Sequence, residues 1–191
     1  MKKEDIITVP NSSLRTKAKE IKIINQKVHS IVDDMVSATL DWENSRKHEV
    51  GVALAAVQIN QLVNIVIVRD NYEDKTDLKF NVYINPEILK KYGDLVEDYE
   101  GCLSVPDIYG KVPRFSKLKI KYLDISGVEH QKTFSDFYAR IMQHEIDHSE
   151  GTLFIDKIKD REDAFYILDK NGKLKPLNYV KDIKKNTILW K

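Results

Sequence analysis

The chain has one cysteine, Cys102, so no disulfide can staple it internally. That excludes a disulfide scaffold, makes a reducing cytoplasm the natural setting, and leaves the thiol free for chemistry. No apolar run approaches the roughly 20 residues that a membrane helix needs. The opening stretch MKKEDIITVPNSSL follows two lysines with two acids and a proline, not with the continuous apolar core of a secretion signal. Neither membrane insertion nor export is expected. An excess of one charge is missing as well: 31 Lys and Arg stand against 30 Asp and Glu, for a formal net charge of +1. No global basic field therefore argues for DNA or RNA as the partner. Internal repeats, low-complexity tracts and linkers are also missing, and 191 residues suit one domain spanning the whole chain.

What is present has clear periods. From Gln26 to about Lys47, the residues Val28, Ile31, Val32, Met35, Val36 and Leu40 recur at steps of three and four, predicting an N-terminal amphipathic helix. The branched run LVNIVIVRD, Leu62 to Asp70, reads as a buried strand. KFNVYINPEIL reads as a second strand, closed at Asn85-Pro86. KLKIKYLDISGVEHQKTF alternates lysine with Leu118, Ile120 and Tyr122 and turns at Ser126-Gly127, predicting a hairpin with one wet face. A helix follows, with Ser135 as N-cap, Asp136 at its positive end and Gly151 past its last turn. Strands in the middle with helices early and late give an α+β class. From Lys157 onward, ten Lys/Arg against five Asp/Glu leave a local excess of +5, and KNGK reads as a turn between FYIL and LKPLNYV.

The late helix carries QHEIDH, Gln143 to His148. Residues four apart share a helix face, so His144 and His148 can present two imidazoles to one metal, while Glu145, about 100° further round, can reach a metal-bound water. A lone HExxH also fits two histidines that merely share a surface. The third ligand decides, because a catalytic site normally has three protein ligands. The metzincin pattern HExxHxxGxxH keeps Gly151 but meets Phe154 where its third histidine belongs. A thermolysin-like site needs a glutamate on a later helix, and Glu162 lies in a close, charged segment that suits this poorly. Upstream, Cys102 in EGCLS offers a soft thiolate that would close a Cys-His-His site with one open position. An inert buried cysteine is the other reading of that residue.

Three segments, GVALAAVQ (Gly51 to Gln58), EGCLS (Glu100 to Ser104) and QHEIDH, closely resemble in order and spacing the three signature motifs of the peptide deformylases. The resemblance runs from the first helix to about Asp156 and leaves 157–191 as a divergent C-terminal tail. It implies antiparallel β-sheets around a central HExxH-bearing helix, and hydrolysis of the N-formyl group from the N-terminal formylmethionine of nascent polypeptides, with release of formate. It implies that Cys102, His144 and His148 bind one divalent metal, expected to be Fe2+, with Zn2+, Ni2+ or Co2+ possible. Glu145 becomes the general acid/base, and the Gln58 side chain and Leu103 N–H the oxyanion hole. The substrate backbone is expected along Gly51, Val52 and Ala53. Here the chain departs from the family, whose motif has a second glycine where Ala53 stands; alanine adds a Cβ and resists φ > 0. Nascent N-formylmethionyl peptides as substrates imply a transient ribosome contact, for which the basic tail is one surface.

Other roles come from the residues themselves. Phe137 and Ile141 share the helical stripe of His144 and His148, so they can line an apolar slot for the methionine side chain as well as serve as core. Asp147 lies on a different helix face, and Arg114 is expected to pair with Asp147 or Glu100 and hold helix and cysteine loop in register. Two competing functions stand beside this one: a peptidase cutting internal bonds, and a binding protein with a vestigial site, which only Ala53 favours.

Overall fold

The computed structural model describes residues 1–190. Its strands are β1 (Ala53–Ala55), β2 (Ile65–Arg69), β3 (Phe80–Cys102), β4 (Val105–Leu123), β5 (Glu129–Ser135), β6 (Phe165–Leu168) and β7 (Leu174–Pro176). They form one seven-stranded sheet in the order β1-β2-β3-β4-β6-β7, with β5 on β4. Every strand pair in it is antiparallel. One edge of β4 is shared: Lys117–Leu123 pair with β5, and Ile108–Gly110 pair with β6. The turn expected at Ser126-Gly127 joins β4 to β5, with Gly127 at φ 86°.

Helix α1 spans Gln26–Asn44 and begins where Asn25 Oδ1 accepts the N–H groups of Lys27 and Val28. It ends before the expected Lys47. Its stripe of Val28, Ile31, Val32 and Met35 packs with Leu54, Ile65, Ile67 and Ile84. The next residues of β2, Val66 and Val68, point to the opposite face and pack with Ala139, Met142 and Ile146. The period of two in β2 thus places α1 on one side of the sheet and α2 (Asp136–Ser149) on the other. Beyond its exposed first turn helix α2 is enclosed: all residues from Ala139 to Ser149 are buried. Its polar residues must therefore find partners inside the protein. The helix starts at Ser135 as expected, although the Ser135 side chain makes no capping bond. Gly151 follows at φ 73°, and a Cβ there would stand 2.7 Å from the Arg15 carbonyl oxygen.

The second strand does not close at Asn85-Pro86. It runs on through a bulge between Ile84 and Glu87 and continues to Cys102. Asn85 takes φ 51°, and its side chain binds both the N–H of Ile21 (2.8 Å) and its carbonyl (2.7 Å). These bonds hold the kink, and a bulge is one of the places where a sheet tolerates proline. The long reach of β3 matters, since it carries Glu100 and Cys102 to the site.

The segment after α2 forms the short α3 (Phe154–Lys157), then β6, the turn at Gly172 and β7. Leu153, Phe154, Ile158, Phe165, Ile183 and Leu189 pack with Val105 and Val112 in a third apolar cluster. Among the described residues, no helix is long and apolar enough to cross a membrane.

Candidate metal centre

The end of β3 meets the last two turns of α2. There the ligating atoms of Cys102, His144 and His148 all lie within 4.8 Å of one another. Cys102 Sγ is 3.2 Å from His148 Nε2. Four-coordinate metals with bonds of about 2.0–2.3 Å need ligand atoms a few ångström apart, so one thiolate and two imidazoles at this spacing fit a divalent ion and leave a position open. Gly101 lets the aromatic ring of Tyr109 lie against the backbone beside Cys102, because a Cβ there would stand 2.6 Å from Tyr109 Cε1.

Two buried carboxylates flank the cluster, with exposures of 6% for Glu100 and 5% for Glu145. Glu100 is fully partnered. It receives Arg114 Nε (2.9 Å) and Nη2 (3.0 Å), Arg140 Nη1 (2.8 Å), and faces His144 Nδ1 at 2.9 Å. Burial pushes its pKa up, but the bonds to His144 and Arg114 outweigh burial and hold the carboxyl at about 2. Glu145 Oε2, in contrast, is buried without a hydrogen-bond partner. Burial dominates there and raises its carboxyl to about 7, opposed by the positive field of His144. The same residue type thus has two states within one site, a permanent anion and a carboxyl poised near neutrality.

Arg114 pairs with both residues foreseen for it, Glu100 and Asp147. Asp147 also receives Lys157 Nζ at 3.0 Å. Sequence reasoning missed Arg140, which donates to the carbonyls of Val112 and Val96, at 2.7 Å each, as well as to Glu100. The available signal was an arginine one turn before His144 on a helix that is otherwise core-facing. Gln58 is the other oriented group. Its Oε1 accepts the Ala55 N–H at 2.8 Å, which turns Nε2 toward Ser104 Oγ (3.2 Å) and Cys102 Sγ (3.6 Å).

A cleft of about 300 Å³ opens over the cluster and is lined by Val52, Ala53, Gln58, Glu100, Cys102, Leu103, Phe137, Ile141, His144 and Glu145 among others. Gly51 stays outside the lining. It packs on α1, where an added Cβ would meet Thr39 Cγ2 at 2.6 Å, and donates its N–H to Glu43. Ala53 is paired with Val68 in β1 and is not among the residues with positive φ. Alanine therefore adopts this backbone without strain, and the departure from the family motif adds only a methyl group to the cleft wall.

An antiparallel sheet around a buried helix that brings a thiolate, two imidazoles and an unpaired carboxylate to one cleft defines a metal-dependent hydrolase. Residues 3–164 match the family model described as polypeptide deformylase. The chain belongs to the polypeptide deformylase family. It is 39% identical over 168 residues to a peptide deformylase of Thermomicrobium roseum, covering 86% of this chain and 91% of that one. Among solved structures it resembles a peptide deformylase from Legionella pneumophila (TM-score 0.70, 35% identity, covering 80% of this chain and 83% of that one). It also resembles one from Synechococcus elongatus in complex with actinonin (TM-score 0.73, 29% identity, covering 82% and 80%).

Proposed function

We propose a division of labour for the reaction of this deformylase, removal of the formyl group from the N-terminal formylmethionine of nascent polypeptides. The observation that carries it is Glu145, a buried carboxylate with one oxygen unpartnered beside a three-ligand cluster. Cys102, His144 and His148 hold one divalent metal. The family resemblance implies ferrous iron, and zinc, nickel or cobalt suit the same donors. When bound, the metal supplies Lewis acidity that polarises the formyl carbonyl and makes a water acidic.

Glu145 accepts the proton of the attacking water and later delivers it to the departing amine. The Gln58 amide and the Leu103 N–H donate to the carbonyl oxygen as negative charge develops on it; losing one such donor costs about 100- to 1,000-fold in rate. Phe137 and Ile141 form the slot for the methionine side chain, and Val52 and Ala53 offer backbone groups to the peptide, with Gly51 seating that segment on α1. Glu100 engages His144 at Nδ1, which leaves Nε2 as the ligating nitrogen. Arg114, bridging Glu100 and Asp147, keeps the cysteine loop and α2 in register.

The test compares formyl-Met-Ala-Ser with Met-Ala-Ser and with an internally extended, N-acetylated peptide. Formate from the first alone supports this reading, whereas cleavage of internal bonds in the others means a peptidase. The lone cysteine supports a cytoplasmic location, which cell fractionation checks. The basic tail supports a transient contact with rRNA phosphates; ribosome co-sedimentation unchanged after reversing the charges of Lys181, Lys184 and Lys185 rules the tail out. Residues 1–191 are read as one domain, and two separate unfolding transitions would contradict that.

A further inference from the structure

The family match ends at residue 164, and β6 begins at Phe165. The hairpin of β6 and β7 nevertheless reaches the cleft lining at two places. At the first, β6 pairs with β4 so that Tyr166 stands opposite Tyr109 and Ile167 opposite Ile108. The Tyr166 ring meets that of Tyr99 edge-on, with centroids 4.9 Å apart. Tyr99, Ile108 and Tyr109 all line the cleft. At the second, the hairpin turn lies against His48, also a lining residue: a Cβ on Gly172 would stand 3.1 Å from His48 Cγ. Tyr109 completes the connection by donating its hydroxyl to Glu49 at 2.6 Å, next to His48.

In the reading above, formylmethionine occupies the cluster and the Phe137–Ile141 slot. The lining that remains, including Trp42, His48, Tyr99, Ile108 and Tyr109, is left for the residues that follow methionine. We propose that the β6–β7 hairpin is a positioning element for this stretch of substrate: it backs His48 through its turn and Tyr99 with Tyr109 through β6, and so sets how strongly residues after formylmethionine contribute to binding. The inference rests on the deformylase reading for its substrate. Its physical content is that lining residues held in place before binding require less ordering when peptide binds.

The experiment uses the full-length metal-loaded enzyme and two substrates, formyl-Met-Ala and formyl-Met-Ala-Ser-Ala. The variants are Tyr166→Ala, Tyr166→Phe and Gly172→Val, each checked by thermal unfolding. Tyr166→Ala and Gly172→Val raise KM for the longer peptide about 5- to 10-fold at constant kcat and leave the shorter one within about twofold. Tyr166→Phe, which keeps the ring on Tyr99, restores wild-type values. Equal losses on both substrates, a fall in kcat alone, or no change overturns the proposal. If Tyr166→Ala does not fold, Gly172→Val decides alone. Calorimetric titration of the same peptides into Glu145→Gln, with and without Gly172→Val, scores the hairpin independently of turnover. Wild-type enzyme that releases no formate from either peptide sinks the deformylase reading, while loss of length-dependent affinity in the titration still separates the hairpin from it.

Discussion

Among the ionic ties of the β3–β4 hairpin to its surroundings, two lie in opposite environments. Behind the metal ligands, Arg114 and Arg140 meet Glu100 and Asp147 with all four side chains buried. At the cleft rim, Arg46 meets Asp107 at 3.0 Å and Glu49 at 3.6 Å in contact with water. Removing one partner from a buried network leaves an uncompensated charge and costs about 3–5 kcal/mol. An exposed pair contributes about 0–1 kcal/mol. The rigidity of the metal centre therefore comes from inside, and the rim pairs shape the entrance without holding it.

The sharpest way to probe the buried region is its unpaired carboxylate, Glu145. Glu145→Gln keeps the shape and removes the carboxylate proposed as proton acceptor, so kcat should fall by about 100- to 10,000-fold. In the wild type, kcat/KM falls about tenfold per pH unit below the pKa of Glu145. That limb lies at or below about 7, because a bound cation pulls the carboxyl further down. The metal-free protein gives the stability counterpart. Glu145 is raised from 4.5 to about 7, so its contribution is complete below 4.5 and is lost as pH rises through 7. Glu100 is lowered from 4.5 to about 2, so its contribution is present above 4.5 and is lost as pH falls through 2. Metal-free Glu145→Gln should accordingly gain in melting temperature over wild type at pH 8 and not at pH 4.

Next in size is Arg114→Ala, expected to cost about 3–5 kcal/mol of stability and to lower metal content measured by atomic absorption. Full metal content with full rate would mean that Arg114 positions nothing. Ala53→Gly is smaller: with no positive φ to relieve, kcat/KM should rise by less than about tenfold. A gain beyond about 100-fold, roughly 2.7 kcal/mol, would mean that the alanine impairs the native site. Smallest is Arg46→Ala, which should shift unfolding by less than about 1 kcal/mol; a cost equal to that of Arg114→Ala would erase the contrast between rim and interior.

The parts legible in the sequence were those with a local period or a compact motif. The stripe of α1, the alternation of lysine with Leu118, Ile120 and Tyr122 in β4 and the four-residue spacing of His144 and His148 each follow from helix or strand geometry. Cys102 became a ligand only when set beside QHEIDH and the family motifs. What stayed hidden depends on contacts between distant segments. Asn85 looked like a strand end because its two bonds to Ile21 lie outside its own strand. Arg140 looked like an ordinary helix residue until β3 and β4 placed Glu100, Val96 and Val112 around it. The question raised by Ala53 was a backbone angle, which no composition or period reports.

The central claim is that a thiolate from the end of β3 completes the metal site that the HExxH helix begins, with Glu145 as the working carboxylate. Formate release from formyl-Met-Ala-Ser by anaerobically prepared, iron-loaded protein tests it most directly, with Glu145→Ala as control. The account predicts one formate per free amine from the wild type, and almost none from a variant that still binds one iron. No formate from the iron-loaded wild type, or undiminished formate from Glu145→Ala, would contradict it.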